Sequence, residues 1–166
     1  MAYDDTPNGD APDFVYTLYI AARAETVWNG LIQKELTEKY WGHHNKSDWT
    51  VGSIWQHQRA DDSNIVDVHG QVLESDPPHK LVVTWNGADG SKMEEPTPSV
   101  VTYELLALGP DTKLTVTHSK LNIDSVMHKG VTQGWPAVLS NLKSLLETGK
   151  PLSDDQWDNS KQELTT

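Results

Sequence analysis

From Gly134 to Gly149 the chain reads GWPAVLSNLKSLLETG, and its apolar residues Trp135, Val138, Leu139, Leu142, Leu145 and Leu146 recur at i, i+3, i+4 and i+7. That recurrence puts them on one stripe of a 3.6-residue helix, with Ser140, Asn141, Lys143 and Ser144 opposite. Proline is readily accepted only in a first turn, so Pro136 predicts a start at Gly134; Gly149 and Pro151 suit a left-handed cap and a stop. An amphipathic helix of this length must bury its stripe. Almost everything upstream reads as strand, so the expected partner is one face of an antiparallel sheet.

The upstream order supports this. Phe14 to Ala21 is a β-rich run, apolar on both faces. Ala24, Val27, Trp28, Leu31 and Ile32 then follow helical spacing, and Leu36 with Tyr40 resumes it after a break near Gln33, which gives two short helices or one kinked one. Polar residues His43 to Asp48 read as a loop. Strands follow around Trp49 to Val51, Ser53 to Arg59, Ile65 to Ser75, Leu81 to Trp85, Val100 to Leu108 and Lys113 to Lys120, joined by short turns rich in Gly, Pro, Asp and Asn. Short connections between consecutive strands imply an antiparallel meander. Leu121 to Lys129 reads as an irregular link. Residues 1–12 read as a disordered or loosely attached tail, 13–150 as one domain, and 151–166 as a C-terminal tail. In that tail Ser153 to Gln156 has the form of a capping box, opening a short helix to about Glu163 anchored by Trp157.

At 166 residues a single domain buries an adequate core unaided. No cysteine is present, which excludes thiol nucleophiles, thiolate zinc sites and disulfides. Lys plus Arg number 13 against 24 Asp plus Glu, a net charge of -11, with the basic residues scattered; nucleic acid and anionic membrane are poor partners for such a surface. No apolar run is long enough to insert in a membrane, and the first residues lack the pattern of a signal or transit peptide, so the expected location is the cytoplasm. No hydrolase elbow, phosphate loop or dinucleotide turn occurs, and His43-His44 lacks metal-ligand spacing, so no catalytic residue, metal or cofactor is assigned.

Strand, two short helices, about six further antiparallel strands and a long helix: this order resembles the START-like, helix-grip (SRPBCC) superfamily, which includes plant pollen allergens and polyketide cyclases. Ala24-Glu25-Thr26-Val27-Trp28, Tyr40-Trp41-Gly42, Asp48 to Ser53, Val72 to Pro78 with Leu81 to Trp85, Leu114 to His118 and Gly134-Trp135 to Leu146 carry the likeness. Within the superfamily the chain is most similar to the branch named for homology to the activator of heat-shock-protein-90 ATPase. The resemblance spans about residues 14 to 152. It implies an α+β helix-grip fold of six to seven strands, with a cavity between sheet and C-terminal helix.

Alternation selects the side chains that face that helix. Tyr103 and His118 point inward on the last two strands, and the same phase selects Trp55, His57, Val68, Val83 and Trp85, unless a bulge near Gly70 reverses some of them. Asp67 and Glu104 fall on the opposite phase, which leaves no carboxylate to orient either histidine. Ser99 has no recognisable base partner. Trp41 and Trp135, with Leu139 one turn on, frame the expected entrance. Such a wall suits an apolar or aromatic small molecule whose polar groups are read by His57, His118 or Tyr103; the alternative for each Trp is to close the core. Three functions are therefore in play: a small-molecule binding protein, a co-chaperone-like ATPase activator, and a cyclase- or dehydratase-like enzyme. A monomer or a two-fold dimer is expected.

Overall fold

The computed structural model describes residues 10–154. Its elements are β1 (Phe14–Ile20), α1 (Ala24–Ile32), α2 (Lys34–Trp41), β2 (His43–Lys46), β3 (Ile54–Arg59), β4 (Val66–Asp76), β5 (Lys80–Gly87), β6 (Ser99–Leu108), β7 (Asp111–Ser119) and α3 (Val126–Thr148). All seven strands form one antiparallel sheet in the order β1-β7-β6-β5-β4-β3-β2. Strands β2 to β7 run as a meander, as their short turns require. β1 joins at the far edge, so α1 and α2 carry the chain from one side of the sheet to the other. The amphipathic face of α3 packs over this sheet, and Val138, Leu139, Leu142 and Leu145 are buried in a continuous core with Val27, Leu31, Val101, Leu114 and Val116.

Several expectations are corrected. α3 starts at Val126, eight residues before Gly134, so the supposed irregular link is partly helix and Pro136 lies inside it. Its start is set by Ser125, whose hydroxyl accepts from the backbone N–H of His128 at 3.0 Å. Proline here removes only one ladder bond, that to the Thr132 carbonyl, and packing of the stripe outweighs that loss. Asn141 is buried rather than on the outer face: it donates to the Tyr40 carbonyl at 2.7 Å and accepts from Leu152 N–H at 2.6 Å, tying α2 and the segment after α3 to the helix.

His43–Lys46 is a strand, not a loop, because it pairs with β3 from Arg59 back to Gln56. Trp49 to Val51 is a turn, not a strand, with Trp49 at φ 57°. β1 is apolar on both faces in sequence, yet Val15 and Tyr19 are 57% and 56% exposed, because one face of this edge strand meets solvent. The chain is attached before β1: Ala11 is buried and its N–H donates to the Leu121 carbonyl at 2.7 Å. The tail before residue 10 and the capping box, helix and Trp157 anchor expected after Ser153 lie outside the described residues, apart from Asp154.

Candidate functional site

Between β3, β4, β5 and α3 lies a cavity of about 270 Å³, bordered by His57, Val68 and Trp85, which alternation turns inward, by Trp135 from the stripe of α3, and by Trp41, whose place there is implied by the family resemblance. The other candidates, Trp55, Val83, Tyr103, His118 and Leu139, are buried but do not border it. They form the layer behind. A wider, more open hollow of about 650 Å³ lies beside α2, lined largely by polar and charged side chains such as Lys34, Glu35, Lys46 and Asp48. It lacks the aromatic enclosure of the smaller cavity, which is where the chemistry converges.

The aromatic wall is continuous. Trp135 lies with its ring centroid 5.5 Å from both Trp41 and Trp85, and Trp41 lies 6.1 Å from Trp85. Trp135 is in the middle of α3, not at its start, so it forms a side wall rather than one end of the entrance. Behind it, the indole N–H donates to His118 Nδ1 at 3.0 Å, and His118 Nε2 lies 2.7 Å from Ser99 Oγ. An indole can only donate, so Nδ1 of His118 is an acceptor and the neutral ring carries its proton on Nε2. Ser99 accepts that proton and passes its own hydroxyl hydrogen to the Trp85 carbonyl at 3.0 Å. Ser99 thus does have a histidine partner, contrary to expectation. The direction of the bonds makes it a structural chain: His118 has no free lone pair with which to activate Ser99.

Burial lowers the pKa of His118 to about 3, with His128 adding in the same direction. The unfolded side chain titrates near 6.5. Above that pH both states are neutral. Between about 6.5 and 3 only the unfolded state gains the proton, so stability falls as pH falls, by up to about 1.4 kcal/mol per pH unit. His118→Gln, which keeps a donor and an acceptor, is expected to flatten the loss measured by urea unfolding between pH 6 and pH 4. Parallel pH profiles for the two proteins would refute this assignment.

His57 donates through Nδ1 to Asn45 Oδ1 at 2.5 Å, and burial, reinforced by nearby His43 and opposed by Asp67, holds its pKa well below the usual histidine range. His43 stacks on it, with centroids 3.8 Å apart and planes within 4°. His43 has the Trp41 carbonyl 3.0 Å from Nδ1 and Asp67 Oδ2 2.8 Å from Nε2, so both of its ring nitrogens are engaged. Asp67 also takes two hydrogen bonds from Arg59, at 2.8 and 2.9 Å, and these chiefly hold its pKa down.

Asp67 faces the cavity because of a bulge. His57 pairs with Val68 and Gln58 with Val66, which leaves Asp67 as the extra residue of β4 and overturns its expected outward phase. His43 reaches the site because β2 is a strand. Met93 comes from the loop after β5, which is pinned by reciprocal bonds between Asn86 and Glu95 at 3.0 and 2.8 Å. From α3, Gly130, Val131, Gly134 and Val138 complete the wall. The helical spacing of the last three with Trp135 was readable once Ser125 was recognised as the cap. Among the described residues, no group of three or more His, Asp or Glu side chains is placed to hold a metal, and no helix is long and apolar enough to cross a membrane.

A curled antiparallel sheet gripped by a long C-terminal helix, with a cavity between them, defines a helix-grip, START-like domain. The chain belongs to the family of Activator of Hsp90 ATPase homolog 1-like proteins, whose signature matches residues 21–147. A Mesorhizobium loti protein is 27% identical with a TM-score of 0.68, over 81% of this chain and 96% of its own. An HSP90 activator from Plasmodium falciparum is 24% identical with a TM-score of 0.66, over 82% of this chain and 96% of its own. The Aha1 dimer from Colwellia psychrerythraea is 19% identical with a TM-score of 0.66, over 84% of this chain and 99% of its own. These last two similarities establish fold alone. No curated protein matches the chain.

Proposed function

We propose that this protein binds a small, mostly apolar molecule in the cavity between its sheet and α3. The observation that carries this reading is the bare helix position at Gly134; Gly130, one turn earlier, is covered by Met93, whose Cε would lie 3.2 Å from an added methyl group. Both glycines border the cavity, and a methyl group added at Gly134 would meet nothing within 4 Å. Glycine in a helix costs about 1 kcal/mol relative to alanine. A chain selected only for stability would fill that position. At about 270 Å³ the cavity is at the small end of ligand sites and suits one or two fused rings.

Gly134→Leu should occupy the space. The variant is expected to unfold at an equal or higher temperature than the parent, and to lose the thermal shift that the parent shows with small aromatic compounds. Native mass spectrometry of gently purified protein supplies the complementary measurement, since a released small molecule should be present in the parent and absent from the variant. A ligand response that survives Gly134→Leu would sink the proposal.

A second reading, activation of a chaperone ATPase, rests on family membership. Fold families host many activities. Stimulation of the chaperone's ATP turnover at saturating protein would support it, and Gly134→Leu should leave such stimulation unchanged if it uses the outer surface. The catalytic reading has less support: His118 is committed to two hydrogen bonds, and His57 is held neutral with one nitrogen bonded.

A further inference from the structure

Taking the cavity as a ligand site, we infer that its occupant is a neutral, flat ring compound bearing a hydroxyl group, held where Trp85 and His57 meet. The two rings border the same cavity with centroids 6.0 Å apart and planes tilted by 39°. Trp85 Nε1 is buried and has no hydrogen-bond partner, the one such side-chain atom among the described residues. It can only donate, and a buried donor without an acceptor is costly. His57 spends its Nδ1 proton on Asn45, so the neutral ring keeps Nε2 as an acceptor.

One hydroxyl answers both. Its oxygen accepts from Trp85 and its hydrogen goes to His57. A carboxylate only accepts, so it would leave the His57 lone pair facing negative charge. A quaternary ammonium can satisfy neither atom. The surrounding charges point the same way: Asp67 is already bonded to both Arg59 and His43, so an anion would enter beside a carboxylate and find no unpaired cation among the described residues that border the cavity. The indoles of Trp41 and Trp135 supply the flat apolar walls that call for a ring.

Isothermal titration calorimetry of the full chain with 2-naphthol, 2-methoxynaphthalene, naphthalene, 2-naphthoate and phenyltrimethylammonium tests this. The naphthol is expected to bind about 10-fold tighter than the methyl ether, which has lost the hydrogen for His57, and the ether tighter than naphthalene, which has no oxygen for Trp85. Trp85→Phe removes no existing hydrogen bond and should fold; it is expected to erase the preference for the ether over naphthalene. His57→Phe should erase the preference for the naphthol over the ether. Equal affinities across the three neutral probes, or tightest binding by the naphthoate or the ammonium, would overturn the hydroxyl assignment while leaving the cavity a binding site. Binding of no probe, with Gly134→Leu also indistinguishable from the parent in thermal shift and native mass spectrometry, would remove both.

Discussion

Gly70→Ala is expected to destabilise the protein by about 3 kcal/mol, at the upper end of what overpacking a core usually costs. A methyl group on Gly70 would sit 1.8 Å from the Thr84 carbonyl oxygen and 2.6 Å from Trp55 Nε1. The nearest obstacle is backbone, which cannot rotate away. The intruding carbon would also part the 2.8 Å hydrogen bond from Trp55 Nε1 to Thr84, on which the orientation of the buried Trp55 ring depends. Urea unfolding followed by tryptophan fluorescence measures the loss. A midpoint equal to the parent's would mean that β4 and β5 can separate here without cost, and that the close approach is not a constraint on the sheet.

Trp135→Ala should cost about 3–5 kcal/mol, the usual range for truncating a buried Trp or Phe. The ring is buried against Trp41, Trp85 and Tyr103. Its N–H is also the partner that fixes His118. Trp135→Phe separates the two contributions. It keeps an aromatic ring but strands His118 Nδ1 without a donor, for an expected loss of about 1–3 kcal/mol. Equal losses for the two variants would assign the effect to the hydrogen bond rather than to ring volume. Both variants also widen the cavity wall, so they are measures of stability and not clean tests of binding.

The strands of the meander and the phase of their inward residues were readable because alternation in β6 and β7 is regular: Tyr103, then Val116 and His118 came out buried, as did Leu81, Val83 and Trp85 in β5, where Val82 on the other phase is buried too. Reading failed wherever local signals lost to pairing or packing. Four polar residues, His43–Lys46, look like a loop until β3 lies beside them. Pro136 looks like a helix start until the buried stripe on both sides of it holds the helix together. Asp67 was misplaced because alternation counts residues, and a bulge adds one. The Trp135–His118–Ser99–Trp85 chain was illegible for another reason. Its members come from α3, β7, β6 and β5, and no sequence spacing encodes their convergence.

The partnership of β1 with β7 sets the order in which the molecule can assemble. Phe14 lies opposite His118, and the side chains of Thr17 and Thr115, 98 positions apart, come within 3.3 Å. Neighbouring hairpins such as β4 with β5, or β6 with β7, close short loops and can form early. β1 must wait for a strand made almost a hundred residues later, so its pairing carries the longest loop-closure entropy in the sheet. During synthesis the first strand therefore emerges without its partner, with the alternating Phe14, Tyr16, Leu18 and Ile20 uncovered. Any factor that shields nascent apolar segments has a target there.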